Sequence, residues 1–194
     1  MLMLAHTPQI ANHLLATLPR KDYQRLHAHL DLVTLTLGEV LYEAGEPIQH
    51  VYFPNDALVS LLTLVEGHLA LEVALIGREG MVGTPLALGI DNSPLRALAQ
   101  GSGTAMRMTA SHFQKGFRDS PSLRREVYCY IHALMAQLAQ TAACNRFHVV
   151  EARLARRLLM AADYAPSHTF HLTHEFLASM LGVRRVGVTK AAHA

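Results

Sequence analysis

The chain has 194 residues, of which 51% are hydrophobic, and a formal net charge of +2 at pH 7. This length and apolar content can supply the core of one large domain or two small ones, which excludes wholesale disorder. No apolar run reaches the roughly 20 residues needed to span a bilayer, and the first residues lack the pattern of a secretory signal. Two cysteines, Cys129 and Cys144, are too few for a disulfide framework or a cysteine zinc site, so we expect a cytoplasmic protein.

Charge is unevenly distributed along the chain. From Asn145 onward there are seven Lys/Arg against three acidic residues, a net charge of +4, while the preceding residues have ten against twelve, a net charge of −2. A basic segment at one end is typical of a region that neutralises nucleic-acid phosphates.

The first half of the chain changes from a helical to a strand pattern. Residues 8 to 30 are expected to be helical with a break near Pro19, after which short apolar runs alternate with Gly, Pro and Asn up to about Met108. This density of short runs predicts an antiparallel β-sandwich or barrel. The runs are LVTLTL, VLYEAG, HVYFPND, LVSLLTLVEG, LALEVALIG, LRALAQG and TAMRM.

Residues 77–97, GREGMVGTPLALGIDNSPLRA, interrupt the strand pattern. A Gly-rich loop leads into a short helical turn, LALG, and then into a polar loop. Inside a small barrel this segment is a good place for a ligand, and the backbone N–H groups of the turn could hold an anion. The alternative is a connection that only packs on the strands.

Helices return after Met108. Ser111 to Arg118 is a short helix, and a long helix begins at Pro121, with Ser120 as its cap. Apolar residues within the long helix alternate four and three apart, which is a heptad seam. Such a seam predicts a homodimer, although it could instead pack on the strands of its own chain. The seam residues are Val127, Ile131, Leu134, Leu138 and Thr141.

A further helix, VVEARLARRLLMAADYA, is expected to run to about Ala165 and to stop at Pro166. Three histidines follow at three-residue spacing: His168, His171 and His174. Because they straddle the start of the next helix, they should not share one face, and we predict no metal site there.

Residues Leu172 to Lys190 read as two short helices joined by a tight turn. Thr173 is expected to cap the first helix, and Gly182 to end it with a positive φ. The spacing of the small residue Ala178, Gly182 and Val188 is that of a helix-turn-helix. The second helix would then enter a DNA major groove.

Together these features resemble the Crp/Fnr family of bacterial transcription regulators over nearly the whole chain. Three motifs carry the resemblance: LGEVLYEAGEPIQHVYFPNDALVS, VEARLARRLL and LTHEFLASMLGVRRVGVTK. It implies an α+β fold with an N-terminal antiparallel β-barrel or jelly roll of the cyclic-nucleotide-binding-domain type, a long dimerisation helix and a C-terminal helix-turn-helix. The implied domains are 1–118 (sensor), 119–146 (dimerisation helix and hinge) and 147–194 (DNA-binding domain).

The resemblance also implies a function. The chain would form a cytoplasmic homodimer that binds double-stranded DNA at a promoter and responds to a small-molecule effector, with RNA polymerase as a further partner and no role for a membrane. Carried over by position, Arg185 and Lys190 are the base-reading candidates. The family member that binds cyclic AMP has Glu where Val186 stands, so base readout should differ. The full implied DNA-binding set is Thr173, His174, Arg184, Arg185, Thr189 and Lys190.

The implied effector pocket departs from the family pattern. Family members that bind cyclic nucleotides have Gly-Glu for the ribose and Arg-Ser or Arg-Thr for the phosphate. This chain has Gly83-Thr84 and Arg96-Ala97 at those positions, which argues against a cyclic nucleotide. An iron–sulfur cluster of the Fnr type needs four cysteines, which the chain lacks. The cofactor is therefore not identified by the sequence.

Two other functions were weighed. Family members usually continue into a β-hairpin wing after the recognition helix, whereas this sequence stops at Ala194. We therefore expect an incomplete winged helix, and the alternative function is an effector-binding or interaction module that has lost DNA binding. An enzyme is not expected, because no nucleophile–base set, phosphate-binding loop or carboxylate pair is found.

Overall fold

The computed structural model describes residues 10–64, 70–164 and 173–193. Two short helices, α1 (His13–Ala16) and α2 (Arg20–His27), come before the strands, so the predicted helical start and its break at Pro19 are confirmed from residue 10 onward. The strands are β1 (Asp31–Leu35), β2 (Val40–Tyr42), β3 (His50–Pro54), β4 (Val59–Thr63), β5 (Leu71–Ile76), β6 (Arg96–Ala99) and β7 (Gly103–Thr109). Each of the predicted runs therefore contains one strand.

Five helices follow the strands. They are α3 (Ala110–Asp119), α4 (Pro121–Phe147), α5 (Val150–Tyr164), α6 (His174–Leu181) and α7 (Arg185–Ala191). The predicted start of α4 is confirmed, because Pro121 opens the helix and the Ser120 hydroxyl accepts from the Leu123 N–H at 3.2 Å. The predicted stop at Pro166, with His168 and His171, lies outside the described residues.

The strands form two antiparallel sheets. β7 lies between β1 and β3 in a three-stranded sheet, and the second sheet has the order β2-β6-β4-β5. The α+β class and the antiparallel arrangement are confirmed, whereas the closed barrel is wrong for the described strands. One edge of the second sheet shows why. The side-chain amide of Gln137 in α4 accepts from the Leu75 N–H at 2.9 Å and donates to the Leu75 carbonyl at 3.1 Å, so a helix side chain covers β5 where closure would need a strand.

One continuous hydrophobic core lies between the two sheets and extends to α3 and α4. Its largest fully buried side chains include Phe53, Phe113 and Met81. The buried Asn12 fastens α1 to this core, because its Nδ2 donates to the carbonyls of Pro54 and Gly80, both at 2.9 Å. Burial of these side chains is the main source of stability for the two-sheet part of the chain.

The Gly-rich segment contains the short helical turn that the sequence predicted. It is a 3₁₀ helix, Thr84–Leu88, with Gly83 (φ +98°) before it and Gly89 (φ +79°) after it. A side chain at Gly83 would also meet Val51 Cγ1 at 3.0 Å. Glycine is required there on both counts.

Candidate nucleic-acid interface

The helix-turn-helix is built by the caps that the sequence predicted. The Thr173 hydroxyl accepts from the Phe176 N–H at 3.1 Å and so starts α6. Gly182 ends α6 at φ +62°, and the next N–H, of Val183, donates back to the Ala178 carbonyl at 3.0 Å. These contacts reverse the chain within three residues and set the direction of α7.

A second hydrophobic core holds α7 against α5 and α6. Val188 is fully buried in it and Val183 packs against it, as the sequence predicted. The remaining buried members are Leu154, Leu177, Ala178 and Leu181. One face of α7 is thus fixed inside the motif, and the opposite face is free to meet a partner.

The exposed face of α7 and the residue before this helix are positively charged. Arg184, Arg185 and Lys190 are all exposed. Thr173, Arg184 and Arg185 line one open cleft of about 670 Å³ between α6 and α7. Within the described residues no acidic side chain forms an ion pair with Arg184, Arg185 or Lys190. Glu175 also lines the cleft, so its carboxylate borders any site for a phosphate there.

His174 and Thr189, also predicted to contact DNA, are bonded to each other. His174 Nδ1 lies 3.1 Å from Thr189 Oγ1, and that hydroxyl donates to the Arg185 carbonyl at 3.2 Å. Both groups join α6 to α7 in this arrangement.

A buried polar cluster connects the helix-turn-helix to the four-stranded sheet. Arg157 of α5 pairs with Glu72 of β5, with 2.5 Å between Nε and Oε1, and their side chains are 6% and 8% exposed. Gln100 accepts from Arg157 and donates to Glu72 and to Ser60. Its amide also approaches the Met180 sulfur of α6 at 3.2 Å. The four-stranded sheet, α5 and α6 therefore share one set of hydrogen bonds.

Most residues of the predicted dimer seam in α4 pack on the core of their own chain. Val127 is 0% and Leu134 7% exposed in the single chain, and both belong to its core. Ile131 and Leu138 pack against that core. Thr141 is half-buried and its hydroxyl donates to the Gln137 carbonyl. Val127 and Leu134 therefore pack within their own chain, as the alternative interpretation expected, and the dimer seam stays a prediction.

The candidate effector residues lie at the 3₁₀ helix and in β6. Gly83 and Thr84 start the 3₁₀ helix, and the buried Ala97 follows Arg96 in β6. Arg96 Nε lies 2.6 Å from Glu43 Oε2, so its charge already has a carboxylate partner.

The space beside Gly83 is occupied by a tyrosine of β2. Burial raises the pKa of Tyr42 to about 12, against the opposing effect of hydrogen bonds with Ser93 and the Gly83 backbone. Tyr42 thus contacts the Gly83 backbone and pairs with Ala97 of β6 in the sheet.

Sequence reasoning missed the Arg157–Glu72–Gln100 cluster. The cluster carries no local signal, because its three members are at least 28 residues apart in the chain. Among the described residues no group of three or more potential metal ligands is found, and none of the described helices has the length and apolar character to cross a bilayer.

Two antiparallel sheets, a long helix and a cationic helix-turn-helix make up the fold of the described residues. Residues 152–194 match the family model of the Crp-like helix-turn-helix domain. Among solved structures, the chain is similar to the c-di-GMP responsive global regulator CLP of Xanthomonas campestris, with a TM-score of 0.72, 16% identity and 90% of each chain covered. A structure described as a Crp/Fnr family regulator, from Eubacterium rectale, aligns with a TM-score of 0.71 and 12% identity over 91% of this chain and 82% of that one.

FixK2 of Bradyrhizobium japonicum gives a TM-score of 0.70 at 14% identity, covering 84% of this chain and 83% of that one. No curated protein matches the sequence. The C-terminal segment belongs to the Crp-like helix-turn-helix domains, and the chain has the fold of a Crp/Fnr-type DNA-binding transcription regulator.

Proposed function

We propose that this protein is a homodimer that binds double-stranded DNA through α7 and regulates transcription in the cytoplasm. The observation that carries the proposal is the two-sided character of α7. Val188 fixes its inner face in the second core, while Arg184, Arg185 and Lys190 stay exposed on its outer side. A helix held in this way by a helix-turn-helix suits the major groove.

In this proposal the six predicted residues have different roles. Arg185 and Lys190 read base edges, since exposed Arg and Lys side chains match guanine O6 and N7. Arg184 and Thr173 line the cleft beside α7 and contact phosphates. His174 and Thr189 keep α6 and α7 in register through their mutual hydrogen bond. This positioning role leaves them a smaller part in the DNA contact that the sequence predicted for them.

The dimer is proposed to form along the outer face of α4. Tyr128 is 50% and Met135 62% exposed, so both side chains are available to a second chain. They belong to a heptad series offset by one residue from the predicted seam. The series is Tyr128, His132, Met135, Ala139 and Ala142. We also propose domain boundaries at 118 and 146, so that α4 lies between a sensor domain and a DNA-binding domain.

The sensor domain is proposed to bind an effector near Gly83, Thr84, Arg96 and Ala97. Glu43 beside Arg96 would repel a phosphate, which supports an effector other than a cyclic nucleotide. Regulation through RNA polymerase is part of the same proposal. Native mass spectrometry of freshly purified protein tests the dimer and a retained effector together: a monomer without bound mass would contradict both.

DNA binding is tested by selecting genomic fragments with the purified protein and measuring affinity by fluorescence anisotropy. Affinity should fall steeply with salt, since each phosphate contact releases counterions. Arg185→Ala should lose about 1–3 kcal/mol on the selected site and discriminate less between sequences. Arg20→Ala, an exposed arginine of α2, is the matched control and should bind like the wild type. Equal binding by Arg185→Ala and wild type would exclude α7 as the reading helix, and no selected sequence at all would favour the module without DNA binding.

A further inference from the structure

One exposed apolar side chain of α7 lies next to positively charged residues. Val186 is 65% exposed, whereas Val188 is fully buried. Val186 lies directly after Arg184 and Arg185, which are also exposed. A β-branched side chain at an exposed helical position restricts its own χ1 and leaves its methyl groups in water, so it stabilises the helix less than Ala would. Contacts of the methyl groups in a complex would offset that cost.

The position of Val186 on the helix points to the same partner as the cations. Val186 and Lys190 are four residues apart and so share one side of α7. Val188 defines the opposite, inward side. The outer side of α7 therefore carries an aliphatic group between Arg185 and Lys190.

The chemistry of the major groove offers one partner that matches an aliphatic group. Among the four bases only thymine presents an apolar group there, its 5-methyl, while arginine pairs with guanine O6 and N7. The cations provide attraction to any DNA sequence, and the aliphatic group can favour only one base. We propose that Val186 is a specificity-determining residue that contacts a thymine 5-methyl group in each half-site, beside a guanine read by Arg185. This inference rests on the proposed binding of DNA by α7.

The test uses the full chain and the DNA site obtained by genomic selection. Each thymine of the site is replaced in turn by deoxyuridine, symmetrically in both half-sites, which removes only the 5-methyl group. At one thymine position, next to a guanine, we expect wild-type affinity to fall about fourfold per half-site, the effect of returning one methyl-sized group to water. At all other thymine positions we expect little change.

Variants of Val186 identify the reader. Val186→Ala removes both γ-methyl groups and should bind the thymine and deoxyuridine sites within about twofold of each other, since a shorter side chain leaves most of the methyl uncovered. Val186→Ile keeps the aliphatic branch and should retain the preference. Val149→Ala is the control, because Val149 is 67% exposed and lies outside the motif. It should discriminate like the wild type.

The outcomes separate this inference from the proposed function. Sequence-specific binding with equal affinity for every thymine and deoxyuridine site overturns the inference and leaves DNA binding by α7 intact. Thymine preference that persists in Val186→Ala also overturns it, because another side chain then reads the methyl. If no DNA sequence is bound specifically, the proposed function fails and the inference fails with it.

Discussion

Loss of the Arg157 side chain should have a large effect on the stability of this protein. Glu72 is buried opposite it, and the Ser60 hydroxyl and the Gln100 amide also donate to the Glu72 carboxylate. Arg157→Met keeps the apolar stem but leaves a buried carboxylate with neutral donors only. Removing one partner of a buried ion pair costs about 3–5 kcal/mol. Because two donors remain in place, we expect the lower end, about 3 kcal/mol.

The free energy of unfolding can be measured by urea denaturation followed by far-UV circular dichroism, since the chain contains no tryptophan. The double variant Arg157→Met with Glu72→Gln should be more stable than Arg157→Met alone, because no charge is then left buried. Arg156→Met is the matched control on the same helix. Arg156 is half-buried and donates to Thr141 Oγ1 at 3.3 Å, so its loss should cost about 1 kcal/mol or less.

Two results would refute this reasoning. If Arg157→Met and Arg156→Met lower stability equally, burial of the pair has no particular effect. If the costs of Arg157→Met and Glu72→Gln simply add in the double variant, the two side chains are not coupled. Either result would remove the physical link assigned here between α5 and the four-stranded sheet.

Three further predictions concern other parts of the molecule. Gly182→Ala should lower the free energy of unfolding by about 1–2 kcal/mol, because φ is +62° and Leu71 Cδ1 would lie 3.0 Å from the new Cβ; an unchanged urea midpoint would contradict this. Burial raises the pKa of Glu79 above its ordinary value of 4.5, so the folded state binds more protons and the contribution of Glu79 to stability falls as pH rises above 4.5. Glu79→Gln should therefore raise the melting temperature at pH 7 more than at pH 4, and an equal rise at both would oppose the assigned cause. Met135→Glu should shift the protein towards monomer in sedimentation velocity, while Leu32→Glu, at a similarly exposed position of β1, should not.

The local elements were largely predictable because their signals are local. A short β-branched run between turn residues identifies a strand without reference to the rest of the chain. Thr173 and Gly182 mark the ends of α6 for the same reason, since each acts on backbone groups within a few residues. In contrast, the sequence could not predict in this way that the two sheets stay open and do not close into a barrel. Gln137 covers the edge of β5 at Leu75, 62 residues earlier, and nothing in either segment announces that contact.

The long helix shows why one heptad pattern does not by itself identify the partner on which it packs. α4 carries two heptad series offset by one residue, one containing Val127 and Leu134 and the other containing Tyr128 and Met135. The more apolar series gains most from burial, and the core of its own chain is always at hand, whereas a second chain must be met in solution and must repay lost rotational and translational freedom. The more apolar series is therefore buried within the chain, and the weaker series remains for association. A dimer formed along Tyr128 and Met135 should consequently dissociate at a higher protein concentration than one formed along a Leu/Ile/Val seam.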